Sequence, residues 1–260
     1  MLSYIVPAFN EVNNIEPTIE TLDAISTACG LTEFEIIVID DGSSDGTGDK
    51  LVALSERFPR VVRLTHEQNR GVGMAIRSGI SVARFPQFLI VPGDNDVPQE
   101  LIRLMLAVRE RADLVLVAPL NKEIRPLWRN VCSMFYQMLY MLVFRTFVSY
   151  INGPGIWPTE RVKAVALRAP GFSIIAELNI KMLRSGCTFL EVPGYFRHGP
   201  KTRSTVTVKN LIEVAHSFLN LIYEINFRSK QQFSYRPRRI PINFVGTDGV
   251  VATSREEMNA

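Results

Sequence analysis

Residues 88–96 read Phe-Leu-Ile-Val-Pro-Gly-Asp-Asn-Asp, a short apolar run broken at Pro92-Gly93 and closed by two carboxylates one residue apart. Four apolar residues bounded by turn residues suit a strand buried on both faces. Acids at the end of such a strand converge on one point. Asp94 and Asp96 are therefore candidate ligands for one hard divalent cation, Mg²⁺ or Mn²⁺. Such ions take oxygen ligands and are held by one or two carboxylates together with substrate phosphates. A solvated loop is the alternative reading of an Asp-x-Asp taken alone.

The same arrangement recurs upstream. Residues 4–11 read Tyr-Ile-Val-Pro-Ala-Phe-Asn-Glu, and residues 34–47 carry an apolar run into Asp40-Asp41-Gly42-Ser43-Ser44-Asp45-Gly46-Thr47. Strand-like runs at 3–7, 34–39, 61–64, 87–91 and 113–117 alternate with helical patterns at 14–29, 46–58, 71–84 and 98–111. Alternation of this kind predicts an α/β fold, a mostly parallel sheet with helices on both faces. Asp45 is placed to cap the second helix, and Pro98 suits a first helical turn, where a missing N–H costs nothing. In open α/β sheets ligands bind beyond the carboxyl ends of the strands. Asn10-Glu11, Asp40-Asp41 and Asp94–Asp96 all fall at such ends, so one crevice can hold all three clusters. That convergence predicts a nucleotide site. No Gly-x-x-x-x-Gly-Lys-Ser/Thr loop occurs, and no Gly-x-Gly-x-x-Gly follows the first strand, which weakens ATPase and dinucleotide readings.

The 260 residues are enough for one large domain with a full core, and the net charge of +3 suits anionic substrates or a lipid surface. Nucleic acid is not an expected partner. Cys29, Cys132 and Cys187 are too scattered for a metal cluster or disulfide framework and read as core thiols of a reducing compartment. The first strand begins within a few residues of Met1, with no basic, apolar leader before it. The expected location is cytoplasmic.

Two oily segments stand apart. From Asn130 to Phe144 no charge appears, and Met134, Phe135, Met138, Tyr140, Leu142 and Phe144 crowd the helix on nearly every side. The run is short for a membrane span, which needs about 20 apolar residues. A helix apolar all round is expected to be buried, in a core or a homo-oligomer, or to lie in a membrane interface between Arg125, Arg129 and Arg145. A second, amphipathic helix is expected over about 208–227, with Leu211, Ala215, Phe218, Ile222 and Ile225 on one face and Ile212 and Leu219 beside it. The basic stretch from Arg228 to Arg239 follows, suited to an anionic leaflet. Residues 1–235 are then one domain, and 236–260 a disordered tail.

The motifs "VPAFNE", "IIVIDDGSSDGT", "NRGVGMAIRSG" and "DND", in that order, resemble glycosyltransferase family 2, whose members have the GT-A fold. The likeness is greatest to the dolichyl-phosphate mannose synthase branch and runs on through "FSIIAELNIKMLRSGCTFLEVPGYF", over roughly residues 3–205. The resemblance implies an inverting, metal-dependent enzyme that moves a sugar from a UDP- or GDP-sugar to a polyprenyl phosphate or other lipid-associated acceptor, peripheral on the cytoplasmic membrane face. Transfer to a soluble hydroxyl acceptor is the alternative within the class. A non-catalytic nucleotide-binding or scaffold protein is the alternative outside it, since fold does not fix function.

By the same resemblance the donor site comprises Pro7, Asn10, Glu11, Asp40, Asp41, Gly71, Asp94, Asn95 and Asp96, with Asp96 the first metal ligand. Glu177 is the candidate catalytic carboxylate, with a structural acid at a helix start as its alternative. A lipid phosphate is largely anionic near neutral pH and needs cations more than a base. Arg125, Arg129, Arg197, Lys201 and Arg203 are the candidate clamps, Arg129 and Arg203 the two expected to matter for rate. Three departures from the branch concern the acceptor and metal sides. Pro98 stands where a Gln ligand is usual, Ala118-Pro119-Leu120 replaces Gly-Ser-Arg, and Gly199-Pro200-Lys201 replaces Gly-x-Ser-Lys. The third metal ligand is left unassigned.

Overall fold

The computed structural model describes residues 1–120, 127–171, 173–195, 208–245 and 249–251, without the side chains of 127–132, 208–211, 243–245 and 249–251. The chain begins β1 (Leu2–Ala8), α1 (Ile15–Ala28), β2 (Phe34–Asp40), α2 (Thr47–Arg57) and β3 (Val61–Thr65). It continues with α3 (Val72–Val82), β4 (Gln87–Ile90), α4 (Gln99–Val108), β5 (Leu114–Pro119) and α5 (Leu127–Phe144). Then come β6 (Gly155–Pro158), α6 (Thr159–Lys163), α7 (Ser173–Arg184), β7 (Thr188–Gly194) and α8 (Val208–Tyr223). A π-helical turn, Glu224–Arg228, extends α8, and β8 (Arg238–Arg239), β9 (Asn243–Val245) and β10 (Gly249–Val251) close the described chain.

Eight strands form one sheet in the order β3-β2-β1-β4-β6-β5-β7-β8. All neighbours are parallel except β6, which runs antiparallel between β4 and β5. Strand residues alternate between two cores, because successive side chains point to opposite faces. Tyr4, Val6, Val38, Leu89 and Val117 pack with α1 and α4 on one side. Ile5, Ile37, Phe88, Leu116 and Phe189 pack with α3, α5 and α7 on the other. β6 is too short and too rich in Gly and Pro to show in a periodicity count. Trp157 makes it: fully buried, it stacks on Phe88 at 5.5 Å and donates its indole N–H to Asn179 Oδ1 at 2.8 Å.

Helix α5 is not buried all round. Tyr140 and Phe144 are in the core, whereas Met134, Phe135, Met138 and Leu142 are exposed, Met134 at 67% and Leu142 at 64%. Helix α8 lies beside it: the Phe218 ring is 4.8 Å from Tyr140 and 5.6 Å from Phe144. Its outer side exposes Ile212, Leu219 and Tyr223, with Phe227 just beyond. Among the described residues no helix is long and apolar enough to cross a membrane.

In the segment expected to be a tail, residues 238–242 run along the sheet. β8 pairs with β7, and the Ile240 amide donates to the Phe189 carbonyl at 2.7 Å. Residues 246–248 and 252–260 lie outside the described residues. Of the cysteines, Cys187 is buried but Cys29 is exposed, contrary to its reading as a core thiol. The Cys132 side chain lies outside the description.

Candidate functional site

The loops after β1 and β2 are laced together at the carboxyl edge of the sheet. The Asn10 amide donates to Ser43 Oγ at 2.9 Å, and the Ser44 amide returns to Asn10 Oδ1 at 2.9 Å. Asn10 holds a left-handed backbone, φ 58°, which Asn tolerates better than most residues. Asp45 accepts from the Thr47 amide at 3.0 Å and the Val12 amide at 3.1 Å. It thus satisfies a free amide at the start of α2 and ties that helix to the β1 loop. Burial raises its pKa, but the Thr47 hydroxyl and the Val12 and Thr47 amides lower it more, so the carboxyl titrates below the usual range.

Asp40 and Asp41 are both buried, and both organise loops. Asp40 accepts from the Ser43 amide at 3.0 Å. Asp41 accepts from the Arg70 and Gly71 amides at 3.0 and 2.8 Å and meets His66 Nδ1 at 2.6 Å, while His66 Nε2 lies 2.9 Å from Ser78 Oγ. Residues 66–71 are thereby fastened beside the turn after β2. Gly42, φ 73°, makes room for this, since a Cβ there would strike the backbone of Gln68 and Asn69. Sequence reading missed His66. It bridges residues 25 and 12 positions away in the chain, and a lone His carries no spacing signal.

The Asp94–Asp96 loop leaves β4 at the same edge. The Val91 and Gly93 amides donate to the Ile5 and Pro7 carbonyls, at 3.0 and 3.1 Å, which carries the strand forward to Asp94 beside the end of β1. Asn95 is left-handed, φ 59°, and the Asp96 amide turns back to Asp94 Oδ1 at 3.1 Å. This turn sets both carboxylates on one loop. Asp94 has its pKa raised, first by desolvation and then by the charges of Asp96 and Glu11, against the opposing Asp96 amide. The two neighbouring acids thus add their charge to that of a partly desolvated carboxyl. A divalent cation would offset this charge, so the residues present fit such an ion. Among the described residues no group of three or more His, Cys, Asp or Glu side chains forms a complete cation site. Ligands beyond the two Asp would come from water or substrate oxygens, as is usual for Mg²⁺. Pro98 is the N-cap of α4, one position earlier than its expected place inside the first turn.

Glu177 lies in the second turn of α7, 6% exposed. Its carboxylate accepts from the Arg168 amide at 2.9 Å, the Ala169 amide at 2.7 Å and Lys181 Nζ at 2.7 Å. Lys181 is fully buried and also reaches Glu224 Oε1 at 2.9 Å and the Ala166 carbonyl. The segment so held passes directly to α3: the Gly73 amide donates to the Pro170 carbonyl at 3.0 Å, and Arg77 donates to the Ala169 carbonyl at 2.9 Å. A Cβ at Gly73 would collide with the Pro170 carbonyl, so this close approach requires glycine. Glu177 thus shapes the wall behind Gly71. Of the candidate clamps, Arg125, Arg197, Lys201 and Arg203 lie outside the described residues, as does the Arg129 side chain on α5.

A mostly parallel sheet with a carboxylate pair on a strand-end loop, facing polar turns from β1 and β2, defines the nucleotide-sugar transferase class of α/β fold, GT-A. The chain belongs to glycosyl transferase family 2, whose model matches residues 3–162. It is 29% identical over 233 residues to a dolichol-phosphate mannosyltransferase of Pyrococcus furiosus, covering 86% of this chain and 63% of that protein. Among solved structures it is similar to mannosyl-3-phosphoglycerate synthase of Rubrobacter xylanophilus, with TM-score 0.69, 15% identity, and coverage of 89% of this chain and 75% of that one. It is also similar to glucosyl-3-phosphoglycerate synthase of Mycobacterium tuberculosis in complex with Mn²⁺, UDP and phosphoglyceric acid, with TM-score 0.65, 17% identity, and coverage of 85% and 78%.

Proposed function

We propose that the chain is a divalent-cation-dependent glycosyltransferase that moves a sugar, with inversion, from a UDP- or GDP-sugar to a lipid-linked phosphate at the cytoplasmic face of a membrane. The observation that supports the donor half is the turn that sets Asp94 and Asp96 on one loop, at the edge of the sheet where the loops after β1 and β2 also end. Asp96 and Asp94 would hold a divalent cation there, which would supply a Lewis acid and template for the diphosphate leaving group. The loops fastened by Asp40, Asp41 and Asn10 would border the nucleoside. The acceptor oxygen bonds to the anomeric carbon as the bond from that carbon to the diphosphate oxygen breaks, and the nucleoside diphosphate departs with the electron pair.

Two observations favour a lipid phosphate as acceptor. The α5–α8 face presents exposed Met134, Phe135, Leu142, Leu219 and Phe227 without burying them. Glu177 is fully committed to backbone amides and Lys181, which argues against its serving as the base a hydroxyl acceptor needs. The archaeal relative's name supports the same acceptor class. A soluble hydroxyl acceptor is the second reading, favoured by the likeness in fold to the phosphoglycerate enzymes.

The deciding experiment incubates the protein with Mn²⁺, radiolabelled UDP- or GDP-sugars, and either a prenyl phosphate in detergent or phosphoglycerate. Label passing into organic solvent only with the prenyl phosphate is expected. Label retained in water with phosphoglycerate alone would replace the acceptor. No transfer and no cation-dependent nucleotide binding would sink the whole reading.

A further inference from the structure

Resting on the donor half of the reading above, we propose that His66 is a positioning residue for the nucleotide: through Asp41 it sets the Arg70–Gly71 turn at the edge of the donor crevice. The ring bridges two elements. Its Nδ1 lies 2.6 Å from Asp41 Oδ1, just beyond β2, and its Nε2 lies 2.9 Å from Ser78 Oγ on α3. The His66 and Asp41 side chains are buried, 9% and 4% exposed. An ionised carboxylate only accepts hydrogen bonds, so Nδ1 carries a proton and donates to Asp41. Ser78 Oγ can donate to Nε2 or accept from it. Asp41 passes the constraint on: the same oxygen accepts the Arg70 amide at 3.0 Å, and the other accepts the Gly71 amide at 2.8 Å. From behind, the Pro170 carbonyl takes the Gly73 amide at 3.0 Å. Three of the four amides from Arg70 to Gly73 are therefore held by partners outside the turn.

A serine, a histidine and an aspartate in contact invite comparison with a nucleophilic triad. Ser78 lies inside α3, however, and the amides around it are spent on the helix's own hydrogen bonds, so they offer no pair of donors to an oxyanion. The task left to the three side chains is to hold the turn. Charge explains why that turn matters. The loops at this edge, residues 9–14, 41–46, 66–71 and 91–98, are rich in acids and contain one arginine and no lysine. That arginine is Arg70, exposed, with its backbone amide pinned by Asp41. A nucleoside diphosphate is an anion, and a guanidinium offers its phosphates or base carbonyls five donors on a planar fork. Fixing the Arg70 backbone beforehand leaves less freedom to be lost when the nucleotide arrives. β1 separates β2 from β4, so Arg70 stands on the Asp41 side of the crevice and the Asp94 loop on the other.

The test titrates the full chain with UDP and GDP in the presence of Mn²⁺, by calorimetry, for the parent, His66→Ala, His66→Asn and His66→Gln. An Asn amide reaches the place of Nδ1 and keeps a donor to Asp41, whereas a Gln amide reaches the place of Nε2 and keeps only Ser78. His66→Ala is expected to weaken the nucleotide about tenfold, because the held turn becomes a minor population. His66→Asn should recover most of that loss and His66→Gln little of it, a comparison that decides the matter even if the alanine variant fails to fold. Mn²⁺ binding without nucleotide should be the same throughout, and thermal melting of each variant establishes that the fold survives. If the variants melt earlier but bind nucleotide as the parent does, His66 only stabilises the fold and the proposal is overturned, with the donor site left standing. Recovery by Gln and not by Asn would also overturn it, since the contact to Ser78 would then be the one that matters. A parent that binds neither nucleotide with Mn²⁺ would remove the donor reading itself, and this inference with it.

Discussion

Asp94 illustrates how a single residue reports its neighbours. Its carboxyl is desolvated and sits among Asp96 and Glu11, and both effects raise its pKa. Protons and cations therefore compete for it at a higher pH than at an ordinary Asp. Mn²⁺ affinity, measured by calorimetry, should fall as pH drops through this raised value, and Asp96→Ala should abolish the dependence of nucleotide binding on Mn²⁺. In metal-free protein the linkage has the opposite sense to a salt-bridged acid. The folded state binds the proton more readily than the unfolded chain, so stability should rise as pH falls from above the raised pKa toward the ordinary one. Urea melts in EDTA across that window check the sign. Lys181 is the second residue with a clear consequence. It lies fully buried between Glu177 and Glu224, and Lys181→Met leaves Glu177 without its cation and Glu224 with only the half-exposed Arg168 at 3.6 Å. A loss of about 3–5 kcal/mol is expected in denaturant titrations, and Lys181→Arg should restore less than the parent because Arg does not match the compact ammonium site. The acid pair was legible from its place after an apolar run. Lys181 was not, because Glu224 lies 43 residues away.

At the scale of elements, α5 and α8 decide what the protein shows to its surroundings. The run from 130 to 144 carries no charge on any side, so its sequence pattern could not tell an inward from an outward face. Packing does: Tyr140 and Phe144 meet Phe218, while Met138 and Leu142 point away. Two variants separate the faces. Tyr140→Ala should destabilise the monomer by about 3–5 kcal/mol, as loss of a large core aromatic does. The double change Met138→Glu and Leu142→Glu should leave the melting temperature nearly unchanged and release the protein from anionic liposomes in flotation. If flotation is unaffected but light scattering shows a smaller particle, the face is a contact between copies and not a lipid anchor.

For the whole molecule, the short last strand matters more than its length implies. β8 is two residues long, yet it carries Ile240 and Ile242 against the core and Arg239 against Glu191. Ending the chain after Tyr235 should cost about 1–3 kcal/mol, because apolar surface beneath Ile240 and Ile242 returns to water. That is a fall of several degrees in melting temperature for a domain of this size. Cation-dependent nucleotide binding should persist, because the Asp94 loop lies on the far side of β6 and β5. The truncated protein also bares the β7 edge, so a rise in aggregation on storage is expected. Loss of nucleotide binding on truncation would show instead that the two ends of the sheet are coupled.

The sequence by itself determined the alternation of strands and helices through β5, and it placed Asp94 and Asp96 at a strand end. Both follow from local pattern: apolar runs of strand length, turn residues, and acids just beyond them. Only the tertiary structure decided the rest. The antiparallel insertion of β6 depends on Trp157 finding Phe88 and Asn179, and the roles of Asp41, Glu177 and His66 depend on amides and side chains brought from other loops. Which face of α5 meets solvent depends on where α8 lies. In each case the partner is distant in the chain, and a linear pattern records what a residue can do but not which neighbour the fold supplies.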